Sequence, residues 1–182
     1  PDPIPFRSMP LGIPICEDIW YPACAAHLAA AGAQLLLVPN GSPFDVDKFE
    51  ERIELVRART SEARVPLVYV NQVGGQDELV FDGGSFVMNA DGSVAHVLPL
   101  WREHIAITQW EKDAATLRWV GDPAWQQPAR PDSIYSAMML GLRDYVRKNG
   151  FKGIVLGLSG GIDSALTAAV AVDALGADRV RG

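Results

Sequence analysis

Residues 153–175 read GIVLGLSGGIDSALTAAVAVDAL, and this stretch decides the fold of the C-terminal part of the chain. Ile154-Val155-Leu156 is a short apolar run bounded by glycines, the pattern of a buried strand. Ser159-Gly160-Gly161 forces a tight turn poor in side chains. From Ser164 onward the alanine- and leucine-rich sequence is strongly helical. A strand, a glycine turn and a helix N-terminus together make an anion site. Backbone N–H groups converge there, and the helix dipole favours negative charge. No Gly-Lys-Ser/Thr follows the glycines, so the turn is not of the Walker type. It does not fit the spaced glycines of a dinucleotide fingerprint either. Taken alone, a glycine turn of this kind is also what an ordinary strand-to-helix connection looks like.

Upstream of this unit, Asp132 or Ser133 is expected to cap a helix running to about Lys148, with Asn149-Gly150 as its stop. Residues 111–131 break all periodicity, hold three prolines and read as a linker. Before the linker, short apolar strands are expected at 11–15, 34–38 and 66–71, and a hairpin at 85–98 around Asn89-Ala-Asp-Gly92. Helices are expected over about 23–31 and from Asp45 or Asp47 to about Arg64. The second would carry Phe49, Ile53 and Val56 on one face. Residues 1–10 read as proline-rich and irregular, 74–84 as a polar, glycine-rich loop, and 104–110 as a further strand.

The chain has 182 residues, 48% of them hydrophobic, and a mean hydropathy of +0.07, enough for one domain or parts of two. A net charge of −6 argues against a broad nucleic-acid surface. There is no apolar run of membrane-spanning length and no signal-peptide pattern, so no membrane partner is expected. Cys16 and Cys24 are too few for a disulfide framework and fit the reducing cytoplasm. His27, His96 and His104 lack ligand spacing, so no zinc site is assigned. The chain starts Pro-Asp-Pro without Met and stops at Gly182, where a second strand should be running. It is expected to be an internal piece of a longer protein.

Ser-Gly-Gly-Ile-Asp-Ser, 159–164, resembles the pyrophosphate loop of the ATP pyrophosphatases, which adenylate a substrate and release pyrophosphate. In the N-terminal part, Cys16 sits where a strand ends and a helix begins, a geometry that exposes a thiol and can lower its pKa. Cys24, inside an alanine-rich helix, is expected to be a small buried hydrophobe. Ile-Cys-Glu-Asp-Ile-Trp, then Val-Pro-Asn-Gly-Ser-Pro-Phe and Val-Asn-Gln-Val-Gly-Gly, resembles the nitrilase superfamily. The order of the two motifs around a linker is similar to that of the glutamine-dependent NAD synthetase family.

The resemblance implies an α/β architecture in two parts. Residues 1–110 would be the C-terminal part of a nitrilase-type α-β-β-α sandwich, a glutaminase domain. After the linker, 132–182 would begin a doubly wound parallel-sheet ATP-pyrophosphatase domain. It also implies roles. Cys16 would be the nucleophile that forms a glutamyl thioester, and the N–H of Glu17 would help hold the oxyanion. Ser42 and Lys48 would bind the amino-acid end of glutamine; their plain alternatives are a turn residue and a solvated helix face. Gly157, Leu158, Ser159, Gly160, Gly161, Ile162, Asp163 and Ser164 would hold ATP phosphates. Asp163 would help bind Mg2+, and a helix N-cap is its compatible structural role. The implied partners are glutamine, ATP and nicotinic acid adenine dinucleotide, in a cytoplasmic homo-oligomer. In that family the glutamate base and the lysine of nitrilase chemistry lie upstream of the cysteine, before Pro1. Glu17 and Asp18 are not assigned as substitutes. A stand-alone carbon–nitrogen hydrolase, a non-catalytic nucleotide-binding module and a GMP-synthetase-type amidotransferase are the rival readings. The last normally carries a Cys-His-Glu pattern not found here.

Overall fold

A computed structural model describes residues 2–113, 116–121 and 129–182. Six strands form one mixed sheet in the order β1-β2-β3-β4-β7-β8. They are β1 (Ile4–Phe6), β2 (Met9–Gly12), β3 (Leu35–Asn40), β4 (Leu67–Asn71), β7 (Phe86–Met88) and β8 (Val94–Val97). β2, β3 and β4 run parallel, and the outer strands are antiparallel. The two parallel connections carry α1 (Pro22–Ala30) and α2 (Lys48–Ala63). Alternation along the strands sends Leu36 and Val38 of β3, and Leu67 and Tyr69 of β4, into the core beneath these helices. Leu28 of α1 and Phe49, Ile53 and Val56 of α2 meet them there. Burying side chains of this kind is worth roughly 1.5–3 kcal/mol each. Gly12 permits a close approach in this core. A Cβ at that position would lie 2.5 Å from Leu36 and 3.2 Å from Leu28.

Several local expectations are corrected. Residues 4–12 are not irregular. They form a hairpin in which Phe6 pairs with Met9 across Arg7 and Ser8, both at positive φ. Pro5 is tolerated because β1 is an edge strand that needs few N–H donors. The glycine-rich loop is also a ribbon, of β5 (Val73–Gln76) and β6 (Leu79–Asp82). By contrast, 103–108 forms no strand. Among the described residues it pairs with no strand, and Ile105 and Ile107 are each 93% exposed. Asp47 occupies the N-cap of α2 without a side-chain cap bond, and its carboxylate faces Arg130 at 3.4 Å instead.

Part of the expected linker is ordered as a second ribbon, β9 (Gln109–Asp113) with β10 (Thr116–Val120). The rest, 122–128, lies outside the described residues. Helix α3 (Arg130–Lys148) starts two residues before the expected cap, with Ala129 at its N-cap and no side-chain cap bond. Pro131 in its first turn suits that start. It ends as expected, at Asn149 with Gly150 at φ +71°. β11 (Ile154–Val155) pairs in parallel with β12 (Val180–Arg181) across α4 (Ile162–Leu175), one β-α-β unit. The expected burial of its first strand does not hold. Val155 is 82% exposed, because among the described residues β12 is the only strand against β11 and no layer covers that face.

Candidate active site

Cys16 and Ser42 emerge beyond the C-terminal ends of β2 and β3, adjacent parallel strands. Ligands in open α/β sheets collect at that edge. Cys16 opens a five-residue 3₁₀ turn, Cys16–Trp20, with its backbone at φ +50°. A left-handed conformation at a non-glycine residue costs roughly 1–2 kcal/mol. It persists because the turn is pinned on both sides. Ile15 N donates to the Asp18 carboxylate at 2.8 Å, and Asp18 N donates to Ile15 O at 3.1 Å. Ile19, fully buried, anchors the turn in the core. Asp18 is therefore a structural clamp, in keeping with its exclusion as a base. Cys24 faces the core from α1, and burial, with the nearby Asp18 charge, raises its thiol pKa.

Ser42 is held more completely than a turn residue needs to be. Its N–H donates to Asn71 Oδ1 at 2.9 Å. Its carbonyl accepts from Asn71 Nδ2 at 3.1 Å and from Arg52 Nη2 at 2.9 Å. Its hydroxyl accepts from Arg52 Nε at 3.0 Å. Beyond it stands the buried Tyr69 phenol, whose pKa is raised by burial. Arg52 and the Ser42 hydroxyl oppose that rise, and negative charge at Cys16 and Asp82 adds to it, so both site residues lie in the surroundings of one phenol. Lys48 lies on the first turn of α2. Its Nζ meets Glu51 at 2.8 Å and sits 4.6 Å from the Trp20 ring centroid, above the turn that begins at Cys16. The structure thus gathers Cys16, Ser42 and Lys48 at one edge of the sheet.

The other sequence motif lies apart, on the second unit. Residues 157–163 are exposed, with Gly160 at φ +85°. Ser159 Oγ is 3.2 Å from Ser164 Oγ, which donates to Gly161 O at 3.0 Å. Gly161, not Asp163, is the N-cap of α4, and Asp163 stands exposed in the first turn without a cap bond. The cap role expected of Asp163 is therefore corrected, and its carboxylate is left for other use. Among the described residues no group of three or more His, Cys, Asp or Glu side chains could hold a metal ion by itself.

Sequence reading overlooked Arg52, Tyr69, Asn71 and Asp82. A signal existed for Arg52. It falls between Phe49 and Val56 on the apolar stripe of α2, where a solvated arginine has no place.

Comparison with known proteins agrees with this layout. The family described as "Carbon-nitrogen hydrolase" matches residues 3–118. The chain belongs to the carbon-nitrogen hydrolase family. A second family, "NAD synthase", matches residues 134–182. Glutamine-dependent NAD(+) synthetase of Rhodobacter capsulatus is 51% identical over 98% of this chain and 32% of its own length. The Acinetobacter baylyi synthetase is 43% identical over 93% of this chain and 31% of its own length. A solved structure of the Acinetobacter baumannii synthetase in complex with ADP superposes with a TM-score of 0.90. It is 40% identical and covers 98% of this chain and 34% of that one. This carbon-nitrogen hydrolase chain therefore spans about a third of the length of the relatives it matches. Among its described residues no helix is long and apolar enough to cross a membrane.

Proposed function

We propose that this chain carries parts of both sites of a glutamine-dependent NAD+ synthetase, a cytoplasmic homo-oligomer. The observation that supports this most is the nucleophile elbow at Cys16, gathered with Ser42 and Lys48 and followed in the same chain by the Ser159–Ser164 loop. The hydrolase unit, followed by the β9–β10 ribbon, is joined to a synthetase unit that begins with α3.

At the first site the Cys16 thiolate attacks the side-chain amide carbon of glutamine. The tetrahedral oxyanion takes hydrogen bonds from backbone N–H groups, that of Glu17 among them. Collapse breaks the C–N bond, a proton passes to the nitrogen, and ammonia leaves a γ-glutamyl thioester that water hydrolyses to glutamate. Ser42 and Lys48 bind the amino-acid end, Lys48 as the partner of its carboxylate. At the second site the N–H groups of 157–164, a stretch exposed from 157 to 163, and the N-terminus of α4 bind the phosphates of ATP. The carboxylate of nicotinic acid adenine dinucleotide attacks the α-phosphorus and pyrophosphate leaves. Ammonia then displaces AMP from the acyl adenylate. Mg2+ neutralises phosphate charge when bound. The uncapped, exposed Asp163 carboxylate fits it, since Mg2+ takes one or two protein carboxylates together with substrate phosphates and water.

The test is Cys16→Ala in the full-length protein that carries this chain. Glutamine-driven NAD+ synthesis should vanish while synthesis from free ammonia remains. Equal loss with both nitrogen sources would overturn the assignment.

A further inference from the structure

We propose that Arg52 is a positioning residue for the amino-acid end of the amide substrate, acting through Ser42. This rests on the glutamine reading above and concerns a residue that reading does not use. Arg52 is 2% exposed and Asp82, at the end of β6, is 1% exposed. Nη1 donates to both Asp82 oxygens at 2.9 Å. Nε donates to Ser42 Oγ at 3.0 Å, and Nη2 to Ser42 O at 2.9 Å and Pro43 O at 2.8 Å. A guanidinium has five N–H donors. Here each of the five has an acceptor, and three of those acceptors belong to the Ser42-Pro43 loop.

Stability alone does not explain the arrangement. Two buried charges gain little over a well-packed apolar pair of similar volume. What the fork supplies is place and direction. Place comes from the Ser42 N–H, carbonyl and hydroxyl, all fixed by Arg52 and Asn71. Phe44 N donates to Val80 O at 2.7 Å, so the loop is tied to β6 a second time. Asp82 is held in turn by Asn71 Nδ2 at 3.4 Å. Direction follows from the donor at Oγ. With a lone pair of that oxygen taken by a charged donor, the hydroxyl is left as a donor, to the neighbouring Tyr69 phenol oxygen or to an anionic acceptor brought beside it. Lys48 lies one helical turn before Arg52 on α2, on the side of the Cys16 turn. A hydroxyl donor and an ammonium group so arranged recognise an α-carboxylate. Arg52 is therefore expected to set preference for an amino-acid amide over a plain amide, without touching the substrate.

The experiment compares glutamine with 4-aminobutanamide, which is glutamine without its carboxylate, in the full-length protein. Arg52→Lys keeps the charge but loses the fork. Arg52→Met combined with Asp82→Leu replaces the ion pair by an apolar one. Ammonia-driven NAD+ synthesis reports whether each variant is folded. In folded variants KM for glutamine should rise by about tenfold or more, with kcat changing less. kcat/KM for 4-aminobutanamide should hold, so that discrimination between the amides collapses. A merely structural role would lower both alike and leave the ratio unchanged, and that result overturns the proposal. If neither variant makes NAD+ from ammonia, Arg52 belongs to the fold and the proposal is likewise overturned. If the unaltered protein does not use glutamine, the glutamine reading falls and takes this proposal with it. Unchanged discrimination in a protein that does use glutamine rejects the proposal alone.

Discussion

Cys16, Lys48 and Asp163 each hold a chemical group where an ordinary structural role would not need it. Cys16 is kept at φ +50°, which a merely buried cysteine has no reason to adopt, and the cost is met by the Asp18 clamp and the Ile19 anchor. Lys48 stacks on Trp20 and pairs with a well-exposed Glu51, a contact worth little by itself and easily exchanged for a substrate carboxylate. In the full-length protein Lys48→Ala is expected to raise KM for glutamine by roughly tenfold and to change kcat less, as loss of uniform binding does. Steady-state kinetics with an unchanged KM would return Lys48 to a solvated helix face. Asp163 spends nothing on a cap. Asp163→Asn keeps size and hydrogen bonding but removes the charge a divalent cation needs. ATP-dependent turnover should fall with glutamine and with ammonia alike, and the Mg2+ requirement should move to higher concentration. Turnover and Mg2+ titrations that match the unaltered protein would contradict this.

Element against element, the two units meet where α3 lies on the β5–β6 ribbon. Asp144 accepts the Gly75 N–H at 2.8 Å, and Lys148 Nζ donates to the Gly75 carbonyl at 2.6 Å, so one peptide neighbourhood is gripped from both sides. The approach depends on glycine, since a Cβ on Gly75 would lie 3.0 Å from the Cα of Gly141. Asp144→Ala removes a charged acceptor and leaves the N–H without it, a local cost of about 1–3 kcal/mol. The Gly75 amide should then exchange with solvent about tenfold faster or more, because local opening becomes easier. Hydrogen exchange that leaves this amide as protected as before would show that packing alone docks the helix. The same ribbon explains an error of local reading. Val73–Asp82 is polar and rich in glycine, and no periodicity marks it as paired strands. Its pairing is earned from α3, sixty-odd residues further on in the chain, as the Gly75–Asp144 bond illustrates.

At the scale of the molecule, one face of the main sheet is covered by α1 and α2, and among the described residues the other is open around Val70, 48% exposed, with Ile105 in the same cleft. Val68, Val70, Leu98 and Ile105 line a cleft of about 360 Å³ on that side. An apolar face of this kind favours association over a quiet monomer. Much of the fold was legible beforehand. The β-α-β unit around the Ser159–Ser164 loop, the parallel strands β3 and β4, the hairpin β7–β8 and the four helices all follow from local pattern, because apolar periodicity, glycines and helix formers act over a few residues. The candidacy of Cys16, Ser42, Lys48 and Asp163 came instead from the resemblance of short motifs to a known family, and motifs are local as well. Tertiary structure alone decided the rest. Arg52 finds Asp82 across thirty residues and Ser42 across ten. Pro5 of β1 becomes harmless only at a sheet edge, and Val155 lies exposed because no layer among the described residues covers it. A side chain's partner, and the burial of a face, depend on segments far away in sequence, and no local pattern carries that information.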